Sequence, residues 1–325
     1  MIMKALITFC TFLLLIFSIE MSSAQSKYAI NEDFKSACRI TPPLGRGVLR
    51  IGNAFLTAMP KGMRSDKRLS IRKVKITSSV DGESVRAWVI APKVSEEKLP
   101  AILFLHGGGF VFKAAPYHYD LAKSYALCAN AVVVLPDYRM AYNNKYNVPL
   151  QDCCDMWHWL LANADALGID SAKLSIVGDS AGGFLAIKTV LWATDHQLTL
   201  PAKLMLVYPV IDCTMRTLSM KQFTDTPVWN AELNRKMWSY YLQENHETSL
   251  LDFSPPQSFP ATYLETAEFD FLRDEGDLFA EMLRASAVQV QYTTTQGTMH
   301  GFDMVQKSKI TIEQVENRCQ WLKTW

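Results

Sequence analysis

The chain has 325 residues, of which 49% are hydrophobic, and a formal net charge of +1. That length and apolar share suit one large domain with a sizeable core. The near-neutral balance of 33 basic and 32 acidic residues gives no footing for nucleic acid or a strongly acidic surface as partner.

The N-terminus reads as a separate unit. Lys4 precedes an apolar run over residues 5–19, and Ser22 and Ala24 put small side chains where a signal peptidase reads. A membrane-spanning helix needs about 20 apolar residues, and Glu20 cuts this run short. We therefore expect a signal peptide over residues 1–24, a mature chain from residue 25, and a secreted or periplasmic protein. The competing reading is an uncleaved membrane anchor over residues 5–19. Lys4 and Glu20 cancel, so cleavage leaves the net charge unchanged.

Next comes a helix-spaced set, Leu44, Val48, Ile51, Phe55 and Met59. Apolar runs then predict strands over 70–77, 84–91, 101–106, 132–136, 174–177, 203–208, 261–267 and 288–293. Helical patterns fall over 119–129, 150–166, 181–193, 274–285 and 310–322. Such alternation predicts an α/β protein, its eight-stranded sheet mostly parallel with helices on both faces. Residues 214–259 interrupt the pattern. They hold Trp229, Leu233, Met237, Trp238, Tyr240 and Tyr241, with Pro227 and Asn230 marking a helix start.

Two glycine-rich turns carry the chemistry. Gly178-Asp179-Ser180-Ala181-Gly182-Gly183 lies between a strand and a helix, the context a G-x-S-x-G nucleophile elbow requires. Small neighbours let the serine occupy a strained turn at a helix N-terminus, where the dipole favours a developing negative charge. Upstream, His106-Gly107-Gly108-Gly109-Phe110 follows a buried strand. Three consecutive glycines expose backbone N–H groups that would receive an oxyanion. A flexible turn or a phosphate loop is the plainer reading, but neither Gly-Lys-Ser/Thr nor G-x-G-x-x-G opening a helix is present.

A serine nucleophile needs a base and an acid, which follow it in the order serine, acid, histidine in this kind of turn–sheet arrangement. Downstream lie His196, His246 and His300. The first two sit in polar stretches that read as solvated loops. His300 lies in a Gly-Thr-Met-His-Gly-Phe loop after a strand and is the expected base. For the acid, Glu268, Asp270, Asp274 and Glu275 all follow the strand over 261–267. Asp274 and Glu275 read as helix capping and dipole pairing. Asp270 falls directly off the strand end, with Glu268 as the fallback. No CxxC or HExxH spacing supports a metal, and the chemistry calls for no cofactor. Removal of Cys10 with the leader leaves six cysteines, Cys38, Cys128, Cys153, Cys154, Cys213 and Cys319. An oxidising compartment permits disulfides, but the spacing assigns no pairing.

Together these segments resemble the hormone-sensitive-lipase-like (GDXG lipolytic) family of α/β-hydrolase esterases. Also similar are Asp137-Tyr138-Arg139-Met140-Ala141, Tyr208-Pro209-Val210-Ile211-Asp212, the run from Glu268 to Gly276, and Met299-His300-Gly301-Phe302. The matches span about 70–325 in the family's order. The resemblance implies an α/β-hydrolase fold and a Ser180–Asp270–His300 triad. It implies an oxyanion hole from Gly108, Gly109 and Ala181, with His106, Gly107, Gly178, Asp179 and Gly182 supporting the motifs. Residues of about 26–66 and 214–259 would form a cap, and Phe110, Trp229, Met237, Trp238 and Tyr241 a candidate acyl pocket. Two departures stand out: Tyr142-Asn143-Asn144 for the family's Pro-Glu-His, and Phe271 for its proline. We expect both to shape the site rim without touching a catalytic group. The expected activity is hydrolysis of short to medium acyl esters, since bulky insert residues would narrow the acyl pocket. A serine peptidase or amidase of the same fold would need a pocket for a peptide terminus. A silent ligand-binding relative would be expected to lack the base that His300 supplies.

Overall fold

A computed structural model describes residues 27–58, 66–93, 97–244 and 249–325. The expected leader and His246 lie outside the described residues. Eight strands form one sheet: β1 (Leu69–Thr77), β2 (Ser84–Pro92), β3 (Leu99–Leu105), β4 (Val132–Pro136), β5 (Ile169–Asp179), β6 (Lys203–Val207), β7 (Ala261–Phe269) and β8 (Val290–Met299). Their order is β1-β2-β4-β3-β5-β6-β7-β8. Only β2 runs against the rest, pairing antiparallel with β1 and β4. The central strands β3, β4 and β6 are buried along nearly their whole length, as expected where helices cover both faces.

The helices are α1 (Arg46–Ala58), α2 (Pro116–Cys128), α3 (Val148–Ala162), α4 (Ala181–Asp195), α5 (Leu218–Gln222), α6 (Ala231–Leu242), α7 (Arg273–Ala285) and α8 (Lys309–Lys323). Pro149 in the first turn of α3 supplies a pre-set φ where no intrahelical N–H is needed. Asn230 caps α6 by accepting from the Leu233 amide at 3.1 Å, which leaves one fewer orphan donor at the helix start.

Two strand ends move furthest. β5 starts at Ile169, where a polar Asp-Ser-Ala-Lys stretch hides the strand from an apolar count. β8 continues to Met299 because its polar threonines pair with β7. A bulge between Ala267 and Phe269 lets Phe269 pair with Met299. His300 therefore sits directly off a strand end, not in a long loop.

The segment 27–44 and the insert bearing α5 and α6 are joined to one another. The Val228 amide donates to the Ile40 carbonyl at 2.8 Å, and the Tyr240 hydroxyl to the Leu44 carbonyl at 2.7 Å. A disulfide links Cys128 at the end of α2 to Cys319 in α8, a pairing that sequence spacing left unassigned. Among the described residues no helix is long and apolar enough to cross a membrane.

Candidate active site

Five parallel strands, β3, β5, β6, β7 and β8, end on one edge of the sheet. Each delivers a site residue within a few positions: the glycine loop after β3, Ser180 after β5, Tyr208 after β6, Asp270 after β7 and His300 after β8. Open parallel sheets place ligand-binding groups along this edge.

Ser180 occupies φ 53°, ψ −121°, a backbone region that side chains other than glycine's rarely enter. Tertiary bonds hold it there. Its amide donates to the Val207 carbonyl at 2.9 Å, and its carbonyl accepts from Val210 at 3.0 Å and Gly183 at 2.9 Å. The turn requires bare backbone nearby, because a Cβ on Gly182 would collide with the Leu105 carbonyl. Gly178 lies within β5 where that strand meets the α4 turn.

Ser180 Oγ lies 2.8 Å from His300 Nε2, and His300 Nδ1 lies 2.8 Å from Asp270 Oδ2. All three residues are buried, Asp270 completely. The other Asp270 oxygen accepts from the Leu272 amide at 2.9 Å. Glu268 points elsewhere: its Oε2 accepts from the Gly297 amide at 2.7 Å. His196 is exposed at the end of α4, bonded to the Trp192 carbonyl.

The glycine loop lies against the serine. A Cβ on Gly107 would sit 3.1 Å from that of Ser180. The Gly107 amide is already engaged, donating to Asp179 Oδ1 at 3.0 Å. Those of Gly108 and Gly109 have no protein acceptor among the described residues. Ala181 is the first residue of α4, where amides lack intrahelical acceptors. The positive φ of Gly108 (111°) and Gly109 (60°) turns the loop across the strand end.

His106 is fully buried, stacked on Tyr138 at 4.3 Å, with Nδ1 2.7 Å from the Gly107 carbonyl. Burial first, then the neighbouring His118, pushes its pKa down to about 3, so the ring is neutral. His118 carries no local sequence signal, yet it ties the assembly together. Its Nδ1 accepts from the Ala115 amide at 2.9 Å, and its Nε2 reaches Asp179 Oδ2 at 3.2 Å. Burial opposes ionisation of Asp179, but His118 above all, and the Gly107 amide, outweigh it and bring its carboxyl below the ordinary value.

The insert covers this assembly. Trp229 and Met237 press on Gly109, whose added Cβ would meet Trp229 Cζ2 at 2.6 Å and Met237 Cγ at 3.2 Å. Phe110 stacks on Tyr241 at 4.2 Å, and Phe184 packs edge-on to Trp238 at 5.4 Å. The predicted pocket residues thus divide. Trp229 and Met237 flank the oxyanion loop, while Phe110, Trp238 and Tyr241 form an aromatic cluster with Phe184 beneath α6. From α1, Asn53 clasps the same loop: Nδ2 donates to the Val111 carbonyl at 2.7 Å, and Oδ1 accepts from the Lys113 amide at 2.8 Å.

One expectation is corrected here. Phe271 does touch a site residue: its ring lies 5.0 Å from that of His300, centroid to centroid. Leu272 and Arg273 bond back to Asp270 and turn the chain so that this side chain faces inward. Glu275 does lie in the first turn of α7, as expected, but it is not a surface residue. It is completely buried, and its Oε2 accepts from the Ile211 and Asp212 amides at 3.1 Å each. Burial above all drives its carboxyl well above the usual value, and the nearby Asp212 and Asp270 add to the shift. Tyr142-Asn143-Asn144 meets the end of α6, with the Asn144 carbonyl accepting from Gln243 at 2.7 Å. Among the described residues no three His, Cys, Asp or Glu side chains converge as metal ligands would.

A family model described as the alpha/beta hydrolase fold matches residues 102–304. The ethyl acetate hydrolase of Pseudomonas putida is 32% identical over 252 residues, covering 74% of this chain and 77% of that protein. The carboxylesterase NlhH of Mycobacterium tuberculosis is 30% identical over 222 residues, covering 65% and 69%. Among solved structures, a bacterial heroin esterase superposes with a TM-score of 0.79 at 28% identity, over 90% of this chain and 97% of that one.

Proposed function

The chain belongs to the α/β-hydrolase fold family, in its hormone-sensitive-lipase-like branch, and from that premise we propose that it hydrolyses carboxylic esters through an acyl-enzyme. The observation that carries this reading is the hydrogen-bonded chain Ser180–His300–Asp270, with 2.8 Å at each link. His300 Nε2 takes the Ser180 proton as Oγ attacks the ester carbonyl carbon. Asp270 fixes the proton on Nδ1 and stabilises the imidazolium. The amides of Gly108, Gly109 and Ala181 receive the oxyanion, each such donor being worth about 3–4 kcal/mol in the transition state. The tetrahedral intermediate collapses, and His300 protonates the departing alcohol. Water, deprotonated by the same nitrogen, then attacks the acyl-enzyme and releases the acid.

Short to medium acyl chains are the substrates this reading favours. Trp229 and Met237 occupy the space beside Gly109, and forcing extra methylenes into a filled site costs about 1–3 kcal/mol. The relative named for ethyl acetate hydrolysis agrees with a small acyl group. Turnover on C2 to C16 p-nitrophenyl esters and on peptide p-nitroanilides tests both parts. Faster cleavage of the anilides than of any ester would overturn ester hydrolysis, and an optimum at C12 or longer would overturn the size limit. A fluorophosphonate should label Ser180 alone; mass-spectrometric mapping to another serine removes the assigned nucleophile.

A further inference from the structure

His300 lies between two rings, Phe271 at 5.0 Å and Tyr208 at 4.9 Å. Tyr208 is held unusually firmly. It stands one residue beyond β6 with φ 36°, a left-handed conformation that residues with side chains seldom adopt. Its amide donates to the Glu265 carbonyl at 2.6 Å. Its hydroxyl, though completely enclosed, donates to Asp303 Oδ2 at 2.9 Å.

That carboxylate is itself fixed. Asp303 follows His300 by three residues, and its Oδ2 also accepts from Arg318 Nη1 at 2.8 Å. Arg318 projects from α8 and grips Glu265 of β7 in a two-pronged bond, 2.8 and 2.9 Å. Thr295 of β8 completes the set by donating to Glu265 at 2.9 Å. Arg318, Glu265 and Asp303 are all completely buried. Such an ion cluster contributes little net stability against apolar residues of the same volume, because desolvation offsets the attraction. What it provides is a fixed reference point spanning β7, β8 and α8 directly behind the histidine.

We propose that Tyr208, locked by Asp303 and Arg318, is a positioning residue for His300. The tyrosine ring limits rotation of the imidazole away from Ser180. With its hydroxyl bonded to a carboxylate, the ring is also electron-rich toward the imidazolium that forms during turnover. Asp270 and Tyr208 are the ionisable groups against His300, with Asp303, Glu265 and Arg318 behind the tyrosine, Tyr117 and Asp179 within electrostatic reach of it, and Glu275 within reach of Asp270. This role rests on His300 being the base.

Tyr208→Phe removes the anchor and keeps the ring. Misplacing a reacting group by about 1 Å costs roughly 100-fold, and a loosened but still enclosed histidine should lose less, about tenfold in kcat with KM unchanged. The downfield proton signal of the His300–Asp270 hydrogen bond, followed by NMR, should broaden as the ring loosens. Asp303→Asn should move both quantities the same way, and if it fails to fold the tyrosine variant alone decides. Parent-like kcat and an unchanged His300 proton signal in Tyr208→Phe overturn the proposal. So does a loss confined to KM or melting temperature, which would assign these residues to packing. If the parent hydrolyses no ester, the functional reading fails, and the NMR signal still judges the positioning role by itself.

Discussion

Asp270 and Glu268 differ by two positions at the end of one strand, and at the residue scale that difference separates an acid from a structural carboxylate. Both follow the same apolar run, so local pattern leaves the choice open. Geometry distinguishes them, since Asp270 meets His300 at 2.8 Å while Glu268 bonds the Gly297 amide. Asp270→Asn should therefore fold and lose about 10⁴ in kcat through the wrong histidine tautomer. Glu268→Gln should stay within a few-fold, and steady-state kinetics of the pair reversing that order would move the acid to Glu268. A second expectation concerns Gly109. Any side chain there must displace Trp229 and accept φ 60°, so Gly109→Ala should lose one oxyanion donor's worth of rate, about 100-fold or more in kcat. Unaltered turnover in that variant would show that the Gly109 amide takes no part. Ser180 and His300 were legible because glycine-flanked turns advertise themselves in a few residues. His118, Tyr208 and Phe271 were not, because their partners come from other strands and helices, and no local spacing encodes them.

At the scale of elements, all eight strands were legible because the buried parallel ones are nearly continuous apolar runs. The largest misses are the polar ends of β5 and β8. The helix α7 shows what periodicity cannot see. Its first-turn acid Glu275 reads as a dipole partner, yet it is enclosed and bonds two amides of the loop after β6 through one oxygen. A glutamine carbonyl would accept both bonds equally well and remove a charge that burial disfavours. With its folded pKa above the unfolded one, Glu275 favours the native state at low pH, and that contribution is lost as pH rises above the ordinary carboxylate range. Glu275→Gln should therefore melt no lower than the parent at pH 5 and higher at pH 8. Melting curves at the two pH values check this. A variant less stable at pH 8 would mean that the ionised carboxylate is the favoured native form.

Across the whole molecule, the covalent tie between α2 and α8 bears on where the protein works. Cys128 and Cys319 are 191 residues apart, and nothing in their spacing marks them as partners; only the packing of two helices on one face of the sheet does. Disulfides persist in oxidising compartments, and export directed by the apolar run over residues 5–19, which we propose, would supply one. N-terminal sequencing of protein from its native host should then start close to Gln25; an intact Met1 in the membrane fraction would favour an anchor. The bond itself closes a long loop of the unfolded chain, and such crosslinks typically contribute about 2–4 kcal/mol. α2 carries His118 and α8 carries Arg318, so the tie spans the elements behind both the glycine loop and His300. Each of those residues also holds its own buried hydrogen bonds, which should keep the site assembled without the crosslink. The double variant Cys128→Ser/Cys319→Ser, or the parent in excess dithiothreitol, should accordingly unfold at lower denaturant while keeping near-parent kcat at 25 °C. Equilibrium unfolding alongside ester turnover measures both. A loss of kcat in protein that is still fully folded would mean that the disulfide holds the active site as well as the fold.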